Sequence, residues 1–174
     1  MFKKITLKDK SLYYQYIDKN KFLSCEYSFA TLFMWKDFNN IEYDIVNNIF
    51  IIKKYDKNNG NFFMEPLGDI ENSDLINVID YLEFIRKKEN SKWLFGDVSI
   101  NFLNRLEDIY KENLIFEEEI NNFDYVYNFD DLRNLSGRKF RKKRNKYNQF
   151  IKNYNYKTAF FKNFLDNKEK EECL

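Results

Sequence analysis

Histidine is absent from the 174 residues of the chain. A Ser–His–Asp triad, a Cys–His pair and a histidine-ligated metal are therefore excluded within this chain. Any proton transfer would have to use a carboxylate, a lysine, a tyrosine, a cysteine or the substrate itself. We accordingly predict no metal site.

Cysteines and long apolar runs are also scarce. The two cysteines, Cys25 and Cys173, lie far apart in the sequence and indicate no disulfide framework. No apolar run approaches the ~18–20 residues that a membrane span needs, and no apolar signal core follows the basic first residues. These absences predict a cytoplasmic protein without a transmembrane segment.

Acidic residues are missing from one long segment. Between Arg133 and Leu165 there are eleven basic residues and no Asp or Glu, whereas residues 1–132 hold 16 basic and 24 acidic ones. The net charge of +1 thus hides a strong asymmetry. The segment either binds an anionic ligand or packs against an acidic surface of its own protein, for which residues 117–119, three glutamates in a row, are candidates.

The centre of this segment is predicted to be a basic amphipathic helix over residues 138–154, with Ser136 as its N-cap. Seven of the nine residues from 138 to 146 are Lys or Arg. Apolar residues recur at helical spacing, which places them on one face: Phe140, Tyr147, Phe150, Ile151 and Tyr154. Arg144 borders that face, so we expect its guanidinium to be held in a fixed geometry, from which it could grip a carboxylate or phosphate with two bonds.

The remaining pattern predicts an α/β or α+β domain with one mixed sheet flanked by helices. Helices are expected over residues 8–20, 28–37, 74–88, 101–112 and 130–135. Strands are expected over residues 41–46, 49–54, 61–65, 93–98, 114–120, 124–127 and 156–161. Asn47-Asn48 suits a two-residue hairpin turn between the first two strands.

Three residues are candidates for a pocket, each with a competing structural role. Cys25 could be a nucleophile, but no histidine can activate it, and a small core or turn residue is the more favoured interpretation. Glu26 is either a pocket carboxylate or an acid at a helix start. Asp97 ends a predicted buried strand, where ligands often bind in α/β folds; its competing role is to cap the helix that follows.

Two stretches carry a family resemblance. One is SCEYSFATLFMW, residues 24–35; the other is YVY at residues 125–127, followed by DLRNLSGRKFRKKRNKYNQF at residues 131–150. Together they resemble a family of uncharacterised bacterial proteins related to the C-terminal domain of phosphatidylglycerol lysyltransferases, and the resemblance extends over the whole chain.

The resemblance implies two GNAT-like (acetyltransferase-like) domains in tandem and transfer of an aminoacyl or acyl group. Relatives of the family take that group from a charged tRNA, which makes aminoacyl-tRNA the expected donor and tRNA or another phosphate-rich ligand the expected partner. The resemblance also implies these substrate-binding residues: Arg138, Lys139, Lys142, Lys143, Arg144 and Asn145.

The domain limits expected on this basis are residues 1–135 for a GNAT-like N-terminal domain and 136–155 for the basic linking helix. Residues 156–174 would begin a second, truncated GNAT-like domain, so that the chain is a fragment of a longer protein. No catalytic residue is predicted.

Coenzyme A is not expected as donor or cofactor, because the acyl-coenzyme A loop of simple acetyltransferases is not matched. Arg133 stands four residues before Gly137 where that loop has three, and Lys139 occupies the place of a small residue. Without small residues the backbone cannot wrap a pyrophosphate closely.

Two functions without catalysis compete with the transferase. Basic residues interleaved with Phe140, Tyr147 and Tyr154 also suit a nucleic-acid-binding module. A helix of this composition could equally lie on an anionic lipid surface.

Overall fold

A computed structural model describes residues 1–17, 22, 24–118, 120 and 127–154. Its sheet has four strands in the order β1-β2-β3-β4, and each neighbouring pair is antiparallel. The strands are β1 (Lys3–Lys4), β2 (Glu42–Val46), β3 (Ile49–Asp56) and β4 (Gly60–Phe63). Asn47 and Asn48 join β2 to β3, and both have positive φ, of 51° and 62°, as a two-residue hairpin turn requires.

Six α-helices accompany the sheet in the described part of the chain. They are α1 (Lys10–Tyr16), α2 (Phe29–Met34), α3 (Asn72–Glu89), α4 (Ile100–Tyr110), α5 (Phe129–Asn134) and α6 (Arg141–Asn153). Short 3-10 turns precede α1, α2 and α6, over Leu7–Asp9, Cys25–Tyr27 and Arg138–Phe140. The predicted α+β class is confirmed.

Strand β3 lies at the centre of the core because it is buried on both faces. Its alternate residues Phe50 and Ile52 pack in a cluster with Tyr13 of α1 and Leu32 of α2. Ile49 and Ile51 face the other way and pack with residues of β4 and α3. A strand covered on both sides loses the apolar–polar alternation, which is why residues 49–52 read as a continuous apolar run.

Two of the predicted strands are wrong in the described residues. Residues 93–98 form no strand; Phe95 makes a single isolated parallel bridge with Phe63, outside the four antiparallel strands. The backbone turns at Asp97, whose φ of 55° is left-handed and cannot continue a strand. Residues 114–118 also form no strand. Residues 119, 121–126 and 155–174, which include most of the predicted strand 124–127 and all of the predicted strand 156–161, lie outside the described residues.

The chain divides into two compact units, Met1–Asn121 and Asn122–Leu174. The domain limits expected from the sequence, at residues 135 and 155, stay a prediction. Within the described residues, no helix has the length and apolarity to span a bilayer.

Candidate functional site

Two of the three predicted pocket residues meet at a third residue that the sequence analysis did not single out. In the first unit, the Nζ of Lys54 donates hydrogen bonds to Glu26 Oε2 and to Asp97 Oδ2, both at 2.7 Å. Lys54 comes from β3, Glu26 from the 3-10 turn before α2, and Asp97 from the turn before α4. Residues far apart in sequence thus form one cluster, which we call the Lys54 cluster.

Local structure holds each carboxylate in place. Glu26 follows Ser24, whose Oγ accepts from the backbone N–H of Glu26 at 3.2 Å. Asp97 follows Gly96, where an added Cβ would lie 2.6 Å from the ring of Phe62. A side chain at residue 96 would therefore displace either that ring or the turn that carries Asp97.

The Lys54 side chain is 7% exposed, whereas those of Glu26 and Asp97 are 39% and 28% exposed. Burial alone would lower the pKa of Lys54 because it disfavours the ammonium, but the negative charge of Asp97 and the hydrogen bonds that the ammonium donates to both carboxylates outweigh it, and the pKa is raised. Lys54 is therefore a fixed cation and not a proton acceptor at neutral pH.

A buried tyrosine forms hydrogen bonds that hold the turn carrying Asp97 in place. The hydroxyl of Tyr27 donates to the carbonyl oxygen of Asp97 at 2.6 Å and accepts from the backbone N–H of Glu65 at 3.3 Å. Glu65 Oε2 in turn accepts from Ser99, from its Oγ at 2.7 Å and its backbone N–H at 3.3 Å. Burial and the nearby negative charge of Glu65 raise the pKa of the Tyr27 phenol. The phenol thus stays protonated and can keep donating to the turn that positions Asp97.

Cys25, the third predicted pocket residue, is an exposed free thiol next to Glu26. The helix-cap role considered for Asp97 falls instead to Ser99, whose Oγ accepts from the backbone N–H of Phe102 in the first turn of α4. In the described residues, no three Cys, Asp or Glu side chains group closely enough to hold a metal ion. The cluster is therefore a charged hydrogen-bonding site whose carboxylates reach the surface.

Sequence reasoning missed Lys54, although a signal was present. Lys53 and Lys54 follow four apolar residues in β3 and are themselves buried, with 8% and 6% of the whole residue exposed. A buried lysine is found almost always with a partner. Two lysines continuing a core strand therefore indicate that acidic residues elsewhere in the chain must fold back onto them, as Glu42 and Glu89 do for Lys53.

The second unit contains the predicted basic helix, which begins differently from the prediction. Gly137, with φ of 81°, is the residue that enters the 3-10 turn, and Ser136 is not the N-cap. The chain then continues into α6 at Arg141 without a side-chain cap. Only the small residue at position 137 makes this entry free of backbone strain.

Among the described residues, two of the six predicted substrate-binding residues form hydrogen bonds or ion pairs within the unit. Arg144 is held in a fixed geometry, as expected, because its guanidinium donates to the carbonyl oxygens of Leu135 and, at 3.2 Å, of Gly137. Lys139 forms an ion pair with Asp131 at 2.6 Å. Part of the cationic charge near the start of α6 thus stabilises the helix entry.

The other four predicted residues, Arg138, Lys142, Lys143 and Asn145, are exposed. Lys143 lies over the ring of Tyr127, with its Nζ 4.7 Å from the centroid. Among the residues that the structure describes, none of the three cations is paired with an acidic side chain. This face of α6 therefore presents positive charge to solvent.

The α+β fold, the antiparallel sheet and the basic helix define the class of domain, and comparison with known proteins places it in a family. The chain belongs to the family described as phosphatidylglycerol lysyltransferase, C-terminal, whose model matches residues 20–174. The suspected resemblance is thereby confirmed over those residues, and the chain is an aminoacyl-transferase-related domain.

One solved structure, a conserved protein of unknown function from Bacteroides thetaiotaomicron VPI-5482, is similar to this chain with a TM-score of 0.74 and 29% sequence identity. The similarity covers 88% of this chain and 50% of that one, so the chain spans half the length of its solved relative. No curated protein matches the chain.

Proposed function

We propose that the chain is part of a transferase that takes an aminoacyl or acyl group from a charged tRNA, and that α6 and the turn before it hold the tRNA backbone. The observation that carries the proposal is the exposed, acid-free cationic face of α6 in a member of an aminoacyl-transferase-related family. Phosphates along an RNA backbone are bound chiefly by such lysines and arginines.

The contacts within the second unit suggest a different role for each group of predicted residues. Arg138, Lys142 and Lys143 are exposed and contact phosphates. The guanidinium of Arg144 donates a hydrogen bond to the carbonyl oxygen of Gly137, which fixes its orientation. Its remaining N–H groups are then held in position to bind a phosphate. Asn145, next to it, orients a group of the donor.

Coenzyme A has no part in this proposal. A backbone that wraps a pyrophosphate needs small residues at the point of approach. In the turn at Gly137 the carbonyl oxygens of Leu135 and Gly137 accept hydrogen bonds from Arg144. The side chain of Lys139 forms an ion pair with Asp131. The residues present therefore do not fit that cofactor, and aminoacyl-tRNA is the proposed donor.

The test is charge reversal of Lys142 and Lys143 together, K142E/K143E, in the full chain. We expect tRNA affinity to fall at least about tenfold and the dependence of log affinity on log salt to flatten by about two, since about one unit is lost per phosphate contact. Filter binding across a salt series measures both, and transfer of a labelled aminoacyl group from charged tRNA to phosphatidylglycerol is followed in the same preparations.

The matched control is K8E/K57E, which makes the same charge change at two exposed lysines outside α6. It should leave both readings close to those of the unaltered chain. Equal tRNA affinity and equal transfer in the K142E/K143E variant would contradict the proposal, provided that thermal unfolding shows all three proteins folded.

A nucleic-acid-binding module without catalysis is the second candidate. The observation that favours it is the exposure of Tyr147, Phe150 and Tyr154 beside the cationic residues of α6, because aromatic rings next to phosphate-binding lysines suit single-stranded nucleic acid. The filter-binding and transfer assays together separate the two candidates: this one requires salt-dependent RNA binding with no transfer from any charged tRNA.

A further inference from the structure

The first unit has an apolar surface on the side of the sheet that α1 and α2 cover. It is formed by Leu7, Met34, Trp35 and Phe38, which are each between 50% and 79% exposed. Leu7 and Met34 line one groove, and the rings of Trp35 and Phe38 meet edge to face with centroids 5.7 Å apart. We call these four residues the Phe38 surface. Single exposed apolar residues are ordinary, but a contiguous group indicates an interaction site.

The same surface contains a groove of about 240 Å³. Leu7 and Lys10 line it together with residues of α2, among them Ala30 and Met34. A cavity of about 150 Å³ lined by apolar side chains is enough to hold a benzene ring. The groove can therefore receive one aromatic side chain from another molecule.

Phe38 is the aromatic side chain that suits such a groove. It is the most exposed residue of the surface, in the turn after α2, and none of the core clusters formed by the described residues includes it. A projecting ring and a groove thus lie on one surface. Two copies related by a twofold axis can each place this ring in the groove of the other, because a twofold contact repeats itself in both directions.

The apolar area agrees with what a dimer needs. Large apolar side chains carry about 200 Å² each, so the exposed parts of the four residues come to about 500 Å². A stable interface takes about 800 Å² from each partner, of which about 56–65% is non-polar. The Phe38 surface supplies that non-polar share, and the polar residues around it supply the remainder.

The charges around the surface have both signs. Lys36 and Asp37 form an ion pair in the turn between Trp35 and Phe38, and Lys10 lines the groove. A partner with charge of a single sign, such as a nucleic acid, would find no consistent attraction here. A second copy brings both signs with it, so a lysine of one copy can face an aspartate of the other.

We infer that two copies of the chain associate through the Phe38 surface about a twofold axis, with Phe38 of each copy in the groove of the other. The inference goes beyond the proposed transfer reaction and does not depend on it, because none of the residues that it uses belongs to α6 or to the turn before it.

Sedimentation velocity of the full chain over a concentration series tests the inference. High salt in the buffer screens any association of α6 with acidic surfaces, and a reducing agent prevents a disulfide between copies at the exposed Cys25. We expect a monomer–dimer equilibrium with a dissociation constant in the micromolar range or tighter.

Two variants remove the two parts of the contact separately. F38S removes the ring, and A30W fills the groove while it adds apolar surface. Each should weaken dimerisation at least about tenfold, because an aromatic anchor is lost from both copies. The matched control is F84S, at an exposed phenylalanine of α3, which packs on the opposite face of the sheet. It should stay within about twofold of the unaltered chain.

A mixture of the two variants gives a reading that depends on gain of binding. F38S keeps an open groove and A30W keeps Phe38, so one chain of each can rebuild one of the two contacts. Labelled A30W should therefore bind F38S at least about tenfold more tightly than either variant binds itself. Circular dichroism and thermal unfolding establish that each variant is folded.

A monomer at every concentration of the unaltered chain would overturn the inference and leave the surface to a partner other than a second copy. A dimer that F38S or A30W leaves unchanged would also overturn it, as would a mixture that associates no more tightly than its components. The K142E/K143E variant keeps this test separate from the proposed function: it should dimerise like the unaltered chain whatever its affinity for tRNA.

Discussion

The stability of the fold depends on the charge of Lys54, because its buried ammonium forms ion pairs with two carboxylates. Replacing it by methionine, K54M, fills a similar volume but leaves Glu26 and Asp97 facing each other without a counter-ion. Removing one partner of a buried ion pair is strongly destabilising, but these carboxylates reach solvent and can regain hydration. We expect the free energy of unfolding to fall by about 2 kcal/mol, measured by chemical denaturation.

Two further variants show whether the ion pairs are the cause. K57M removes an exposed lysine from the turn after β3 and should change stability by less than about 0.5 kcal/mol. Introducing K54M into an E26Q/D97N background should be less destabilising than K54M alone, because the repulsion is gone. Equal losses in the two backgrounds would show that packing, not charge, sets the effect.

The Lys54 cluster also predicts how stability depends on pH. The pKa values of Tyr27 and Lys54 are both raised in the folded protein, that of Tyr27 chiefly by burial and that of Lys54 by its carboxylate partners despite burial. A raised folded pKa gives stability that is complete below the unfolded value, about 10 for both groups, and is lost as pH rises through the folded value. Stability should therefore fall above about pH 10.

The measurement combines circular dichroism with tyrosinate absorbance along an alkaline titration. Y27F removes the phenol ionisation, so its alkaline decline should be shallower, while the lost hydrogen bond to Asp97 lowers its stability at neutral pH by about 1 kcal/mol. Y55F, at an exposed tyrosine, should follow the unaltered chain. A Y27F titration with an unchanged alkaline limb would refute the assignment.

Sequence reasoning reached part of this site, for physical reasons. Glu26 and Asp97 stand out because a carboxylate beside a turn or a strand end has local causes that a sequence displays. Their meeting at Lys54 depends on contacts across 28 and 43 residues, which no local pattern encodes. The fixed geometry of Arg144 is predictable because its position beside the apolar face follows from helical spacing alone, whereas its carbonyl partners depend on how the Gly137 turn closes.

Of the elements, the β2–β3 hairpin depends most clearly on particular residues. Asn47 and Asn48 both have positive φ, a conformation that asparagine and glycine tolerate and that costs other residues about 1–2 kcal/mol. N48A should therefore lower the melting temperature by about 3 °C, since about 1 kcal/mol corresponds to 2–4 °C in a chain of this size. Differential scanning calorimetry measures the shift.

Comparison variants separate backbone strain from lost contacts. N48G also removes the hydrogen bond from Tyr16 to the Asn48 side chain but keeps the turn, so it should lie close to the unaltered chain. N58A changes an exposed asparagine in the next turn without positive φ and should have no measurable effect. An N48G variant as unstable as N48A would mean that the contact with Tyr16, and not the turn conformation, decides stability.

The elements that the sequence predicted well are those with a repeated pattern. α3, α4, α5 and α6 have apolar spacing or flanking signals, and their observed bounds lie within about three residues of the predicted ones. β1 was missed because two exposed lysines show no alternation. Residues 93–98 looked like a strand because they are apolar, and only the left-handed backbone at Asp97 shows that the segment turns.

For the whole molecule, the distribution of buried apolar residues predicts which part folds by itself. The three core clusters formed by the described residues lie in the first unit, around β3, between β4 and α3, and between α3 and α4. In the described second unit, Phe140 is the buried apolar residue. Burial of apolar surface is the main source of folding free energy, so residues 1–121 contain the groups that a cooperative transition requires.

We therefore expect a chain of residues 1–121 to unfold in one cooperative transition by circular dichroism and to keep the Lys54 cluster, all of whose members lie within it. K54M in the shortened chain should lower the free energy of unfolding by the same amount as in the full chain, because both carboxylates that bind Lys54 lie within residues 1–121. A broad, non-cooperative transition would contradict independent folding. A cooperative transition with no response to K54M would instead mean that residues 122–174 are needed to assemble the cluster.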